Sequence, residues 1–284
     1  IFVNATPIQT RSGFQWDATI NFSKNKTTVV SLAPGIEAIV LADVQEGQIE
    51  ARPGESYGNI VGNAFERTPD GRLIVTAPDA QGNGGGKYVA NRENNILGNI
   101  QPDWMAGVSN TLSYKGFSVS ALLDFKIGGK LFSNTKYFQN ARGIGKDTEK
   151  RTNLKSDGVI PVKNDAGEVT GYVPYDGPVN PIDYNNMAWA GILEYFVIDA
   201  SYINLREVTI GYTFSQSLLS KLPFTNVKLS LVGRDLLYFG NKDFRNLGIA
   251  PDASAVSTDA AEQGVERMSI PPTRSIGFNV GLTF

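Results

Sequence analysis

The sequence predicts an all-β fold: an antiparallel wall of seven strands belonging to a transmembrane β-barrel. Three observations carry that prediction. Segments of about ten residues alternate apolar with small or polar side chains. Between those segments, short and long connections strictly alternate. Aromatic residues gather toward the strand ends and bracket an aliphatic band. Successive side chains of a strand point to opposite sides, so each segment has one apolar and one polar face. A strand crossing a bilayer at a tilt needs about 9–11 residues, which is the length seen here.

Residues 1–8 read as a strand already under way. With no initiator Met or leader ahead of Ile1, the sequence is expected to be a portion of a longer chain. In the second segment Phe14, Trp16, Ala18, Ile20 and Phe22 oppose Gln15, Asp17, Thr19 and Asn21. The third places Trp104, Ala106, Val108, Leu112 and Tyr114 on one face, with Asn110 as the exception. Phe117, Val119, Ala121, Leu123, Phe125 and Ile127 follow in the fourth. Over 200–214 the apolar phase moves from Ile203 and Leu205 to Val208, Ile210, Tyr212 and Phe214, which predicts a bulge near Arg206. Over 226–239 Asp235 intrudes on a face of Val227, Leu229, Leu231 and Leu237. The last segment sets Ile276, Phe278, Val280, Leu282 and Phe284 against Ser275, Gly277, Asn279, Gly281 and Thr283.

The connections at 9–13, 115–116 and 215–225 are short, the last with a helical turn that Ser215 is expected to cap. Those at 25–102, 129–199 and 239–272 are long. Links this long are uncommon in compact soluble domains, whereas outer-membrane barrels pair short periplasmic turns with long extracellular loops. Phe14, Trp16, Tyr114, Phe117, Tyr212, Phe214 and Phe284 lie toward the short-turn end; Trp104, Tyr202, Tyr238 and Phe239 lie toward the other. Alternation alone also suits a soluble β-sandwich. Link asymmetry, strand length and the aromatic bands favour the barrel. Seven strands leave two unpaired edges, which lipid does not tolerate, so further strands are expected from elsewhere.

Composition narrows the function. Lys and Arg number 26 against 28 Asp and Glu, with no basic cluster, so nucleic acid is not an expected partner. His and Cys are both missing, which removes His-dependent triads, thiol nucleophiles, disulfides and Cys or His zinc sites. No catalytic residue, metal site or cofactor is expected. The run GNGGGKY at 82–88 departs from a phosphate-binding loop at Gln81 and Tyr88 and reads as a flexible loop tip. Asp70, Asp79, Asp165, Glu168, Asp252 and Asp259 show no EF-hand spacing and read as a solvated loop surface. Asp17, Asn21, Asp124 and Lys126 fall on the polar face and are expected to face the lumen, lining the transport path or pairing with an enclosed element or with each other. The connection 129–199 carries Tyr137, Phe138, Tyr172, Tyr175, Tyr184, Trp189 and Tyr195. Of these, Tyr172, Tyr175, Tyr184, Trp189 and Tyr195 are candidates for touching a substrate or a lid, the alternative being that they pack the loop against itself.

Five stretches carry a family resemblance. They are GFQWDATINFSKNKTTVVSL at 13–32, GESYGNIVGNAFERTPDGRLIV at 54–75, the block from ILGNIQPDW to GGKLFSNT at 96–135, SYINLREVTIGYTF at 201–214 and the ending IGFNVGLTF. Together they resemble the C-terminal region of SusC/RagA-family TonB-dependent outer-membrane transporters. Residues 143–190 and 241–270 match poorly. The resemblance implies a 22-stranded barrel around an N-terminal plug, with residues 1–284 as its C-terminal portion. It also implies a SusD-like surface lipoprotein as lid, energy from TonB contacted by the upstream part, and import of an oligosaccharide or peptide across the outer membrane. A passive porin and a secreted glycan-binding β-sandwich are the alternatives.

Overall fold

The computed structural model describes residues 1–45, 47–152, 154–221, 223–250, 263–270 and 273–284. Seven antiparallel strands form one large sheet: β1 (Phe2–Gln9), β2 (Phe14–Ser23), β3 (Trp104–Tyr114), β4 (Phe117–Ile127), β5 (Tyr202–Thr213), β6 (Asn226–Gly240) and β7 (Ser275–Thr283). Their order in the sheet is their order in the chain. Such up-and-down pairing follows from joining neighbours through short turns at one end and long returns at the other. Lys115 and Gly116 both have positive φ (46° and 88°), the type I′ geometry that a two-residue hairpin link demands.

The register turns the alternation into a continuous surface. One rung runs Ile8, Trp16, Leu112, Val119, Ile210, Leu231, Phe278; the next toward the short turns runs Phe14, Tyr114, Phe117, Tyr212, Leu229, Val280. Asn110 is accommodated on this apolar face because the Trp16 indole N–H donates to its Oδ1 at 3.0 Å. The predicted bulge is present: between Leu205 and Glu207 the register slips against both neighbours, leaving Arg206 extra. That slip puts Ile203 and Leu205 on the same face as Val208 and Ile210, which repairs the apparent phase change. Asp235 sits in the matching irregularity of β6 with φ 50°, so it does not intrude on the apolar face. In β1, Pro7 lies within a second irregularity on an edge strand, where its missing N–H costs least.

Two expectations need correcting. Tyr202 and Tyr238 do not join the aromatic band, because Tyr202 pairs with Lys126 and Tyr238 with Asn204 on the polar face. Ser215 does occupy the N-cap position of the helix Gln216–Leu219, but its hydroxyl contacts Ser217 Oγ at 2.9 Å and makes no capping bond to the backbone.

The apolar face of the sheet is uncovered among the described residues: Ile210 is 50%, Leu231 52% and Phe278 82% exposed. The core lies in the long connections instead. Ile49, Ile60, Phe132, Ile192, Leu193, Phe196 and Val265 are fully buried in one cluster. The first connection supplies a four-stranded antiparallel sheet, Ile39–Val44, Gly47–Ala51, Asn59–Phe65 and Ala90–Asn99. A three-stranded sheet joins the other two: Lys130–Ser133 pairs antiparallel with Val197–Asp199 and parallel with Val265–Glu266. A Cβ on Gly47 would collide with the Val61 carbonyl and with Leu193, so glycine there is a packing requirement. The three connections therefore fold as one apolar-cored unit.

Candidate functional site

Two regions bring functional side chains together: the polar face of the wall and a groove in the second connection. On the wall, Asp17, Asn21, Asp124 and Lys126 all lie on the polar face, opposite Thr111, Gly107, Gly107 and Met105 of β3. Asp17 accepts from Thr6 Oγ1 at 2.7 Å and from the Gln15 amide at 2.7 and 2.9 Å. Asn21 Oδ1 accepts the Gly107 backbone N–H at 2.8 Å, and the bare Gly107 makes room for it. Asp124 is the hub. Arg206 donates to it through Nε and Nη2 at 3.2 and 3.0 Å, and the Tyr202 hydroxyl approaches at 3.4 Å. The other guanidinium nitrogen of Arg206 lies 3.7 Å from Asp235, which also accepts from Asn204 Nδ2 at 3.1 Å and the Tyr238 hydroxyl at 3.5 Å.

The bulge thus inserts a guanidinium between two carboxylates across three strands. Sequence reasoning singled out Asp124 but missed its partners Arg206 and Tyr202, and Asp235 with Tyr238 on the far side of the guanidinium. The available signal was the coincidence of a phase change at Arg206 with an acidic intrusion at Asp235, two irregularities that fall at one height. A second charged set, Arg234 to Glu207 at 2.8 Å, lies one step nearer the short turns.

In the second connection the five aromatic candidates are not gathered into one site. Tyr175 is buried, donates to the Pro178 carbonyl at 2.8 Å, and lies so close to Gly85 and Gly86 that a Cβ on either would collide with its ring. The run at 82–88 is accordingly a packed turn rather than a flexible tip: Gly85 and Gly86 are buried and Lys87 pairs with Asp183 at 2.8 Å. Tyr184 stacks on Tyr88 at 5.1 Å, and the two hydroxyls meet at 2.8 Å beside Asp157. Burial first, then hydrogen bonding to Asp157, pushes the Tyr88 hydroxyl well above the ordinary phenol range. Burial likewise raises Tyr184. Tyr195 donates to Asp147 at 2.7 Å under the Lys136 ammonium, 4.3 Å from its ring, and burial followed by Asp147 raises it too. Tyr172 is half-buried with the Arg72 guanidinium 5.9 Å from its ring. The Tyr88, Tyr184 and Tyr195 phenols stay neutral and serve as donors.

Trp189 differs, being 69% exposed. With Ile182, 62% exposed, it borders a groove of about 600 Å³ whose rim includes Arg142 and Arg151. Its floor is stiff. Asn140 donates to the Asn185 carbonyl at 2.8 Å and to Asp147 at 3.0 Å, while Asn186 accepts the Trp189 N–H at 3.0 Å and donates to the Ala141 carbonyl at 3.3 Å. Arg151 is anchored through the Gly143 carbonyl at 2.7 Å. An exposed indole, an aliphatic side chain and guanidinium groups over a rigid amide floor suit stacking and hydrogen bonding to a polar ligand.

Among the acidic loop residues, Asp70 is held by Thr68 and Arg72, in that order of effect, and lies below the usual carboxylate range. Asp79 accepts the Gln81 and Asn83 N–H groups at 3.0 and 2.7 Å, and Glu168 accepts from Asn164 at 2.9 Å. Asp252 and Asp259 lie outside the described residues.

No protein-family model matches the chain. TonB-dependent receptor P3 of Formosa agariphila is 24% identical over 249 residues, covering 81% of this chain and 23% of the relative. TonB-dependent receptor P26 of the same organism is 25% identical over 303 residues, covering 99% and 28%. The chain thus spans about a quarter of the length of these curated relatives. Among solved structures, the RagAB peptide transporter superposes with a TM-score of 0.59 at 17% identity, covering 99% of this chain and 28% of that one. The RagAB peptide importer in its closed-closed state gives 0.60. The chain is similar in sequence to a stretch of TonB-dependent receptors and shares the fold of a stretch of the RagAB transporter.

Proposed function

We propose that this chain, similar to TonB-dependent receptors in sequence and to RagAB in fold, is the C-terminal barrel wall of a SusC/RagA-like importer in the bacterial outer membrane. The observation that carries the reading is the division of labour in the fold. The large sheet exposes a broad apolar face, while the core sits in the connections at one end. Lipid is the solvent that makes such a face favourable; in water, an exposed apolar patch this large is a liability. A β-sandwich requires a second layer on that face, and none covers it among the described residues.

Both edges support extension into a larger barrel. The outermost strands are exposed along their whole length, with Phe2 at 70% and Ile276 at 75%. Further strands pairing with β1 and β7 remove edges that hydrocarbon cannot satisfy. A closed barrel of about 22 strands then encloses the polar face, and Asp17, Asn21, Asp124 and Lys126 line the lumen. In this arrangement the short turns face the periplasm and the folded connections face outward. TonB engages a segment beyond this chain, and a SusD-like surface lipoprotein meets the outer unit. The groove at Trp189 is the part of that unit best suited to contact an oligosaccharide or peptide, with Tyr195 bracing its floor through Asp147. The role is binding and passage without bond breaking.

Cysteine placed at Lys115 and at Asp165 in the full-length protein tests the topology. Membrane-impermeant label on intact cells reaches position 165 and not 115; the opposite pattern overturns the orientation. Trp189→Ala should lower uptake of the cognate nutrient while barrel assembly stays normal. Unchanged uptake removes the groove from the proposal.

A further inference from the structure

The three short turns have a charge signature that the transport reading does not use. The links 10–13, 115–116 and 214–225 each contain one cation, Arg11, Lys115 and Lys221, and no carboxylate. All three cations are exposed. In an up-and-down sheet these links lie two strands apart, so the charges recur at roughly 10 Å along the rim. Gln9, Gln15, Ser113, Ser118, Thr213, Asn226 and Thr283, at the adjoining strand ends, bring no negative charge to offset them.

Beside this rim the apolar face is notched. A depression of about 300 Å³ is lined by Phe117, Ile210, Tyr212, Leu229, Leu231 and Phe278. The Phe117 and Tyr212 rings lie against each other at 4.5 Å and form one side; β6 and β7 form the other. The notch spans β4 to β7, and the turns bearing Lys115 and Lys221, which join β3 to β4 and β5 to β6, lie beyond its short-turn end. Tyr212 shares a rung with Phe117 and Leu229, one step inside Phe214, Val227 and Leu282, and presents a phenol close to where apolar surface gives way to water.

Resting on the membrane reading above, we infer that this end of the wall holds an anionic phospholipid of the periplasmic leaflet. Its phosphate sits on Lys115 and Lys221 and one acyl chain occupies the notch. Charge complementarity selects the headgroup, since a Lys near an anionic lipid surface is attracted within a Debye length. The notch adds an acyl contact that a free anion cannot use.

Native mass spectrometry of the full-length protein in non-ionic detergent, offered phosphatidylglycerol and phosphatidylcholine with identical acyl chains, tests this. Phosphatidylglycerol should be retained about tenfold over phosphatidylcholine. Combining Lys115→Gln with Lys221→Gln should bring the two to parity. Ile210→Trp, which fills the notch, should lower retention of both lipids. Lys24→Gln with Lys26→Gln, at the opposite end of the wall, should change neither. Equal retention by the unaltered protein overturns the inference. So does a preference that survives the Lys115 and Lys221 changes, or one lost equally with Lys24 and Lys26. Displacement of the lipid by equimolar inorganic phosphate overturns it as well, since the notch is then idle. Flotation with phosphatidylcholine vesicles separates the two readings. A protein that floats but shows no headgroup preference defeats this inference alone, and one that does not float defeats the membrane reading beneath it.

Discussion

Glu266 offers the sharpest test of how the unit formed by the three connections is held. It is fully buried in the two-residue strand Val265–Glu266, which pairs parallel with Lys130–Ser133. Its carboxylate accepts from Ser133 Oγ at 2.7 Å, the Thr135 N–H at 3.0 Å, Thr135 Oγ1 at 2.8 Å and the Ser269 N–H at 2.9 Å. Two of these donors stand at the start of the helix Asn134–Ala141, and Ser133 is itself its N-cap, accepting from Lys136 N–H at 3.1 Å. One side chain therefore ties the third connection to the second and satisfies part of a helix end. Truncation to Ala leaves those donors without an acceptor in a dry site. Bonds to a charged acceptor contribute about 1.5–3 kcal/mol each, but they are not additive and entering water recovers part of the loss. We expect Glu266→Ala to weaken the local structure by about 3–5 kcal/mol. Glu266→Gln keeps the shape but turns one acceptor into a donor facing other donors, at a cost of about 1–2 kcal/mol. Hydrogen exchange of the full-length protein reads this directly. Amide protection around 130–141 should collapse in Glu266→Ala, fall partly in Glu266→Gln, and stay unchanged in β2 to β4. Unaltered protection in Glu266→Ala refutes the clamp.

Three further outcomes are expected. On the proposed reading as a membrane barrel, Leu123→Arg and Val280→Arg, on the apolar face, should each destabilise it by about 2–4 kcal/mol near mid-bilayer, while Ser120→Arg and Gly281→Arg cost less; equal losses in denaturant titrations contradict the face assignment. Arg206→Ala leaves Asp124 and Asp235 without their shared cation, and since the site is about one-third exposed the loss should be about 1–2 kcal/mol, largely rescued by also making Asp124→Asn and Asp235→Asn. At Glu194, burial raises the carboxyl pKa, but hydrogen bonds from Arg67 and the Phe65 N–H outweigh it and set the pKa below the usual value. A depressed carboxyl pKa stabilises above the unfolded value, so protection of the Phe65 amide, corrected for intrinsic exchange, should fall as pH drops below about 4.5. That dependence should vanish in Glu194→Gln.

The seven-stranded sheet was legible in the residues alone. Period-two alternation has no free parameter once a face is buried or bathed in lipid, so strand number, strand order and facing followed from residues such as Ile276, Phe278 and Val280. The bulge at Arg206 was legible for the same reason: a slipped phase must be absorbed by an extra residue. What the irregularities do emerged only from the folded arrangement. Arg206, Asp235, Tyr202 and Tyr238 are far apart in sequence from Asp124, and their meeting depends on register across three strands, which no local pattern encodes. The same holds for the connections. Their strands are short, several with two to five residues, and their core is assembled from Ile49, Phe132, Phe196 and Val265 across long separations. Aromatic content alone did not separate Tyr175, Tyr184 and Tyr195, which pack inward, from Trp189, which faces solvent, because the chemistry that suits a ring to a ligand suits it equally to a core.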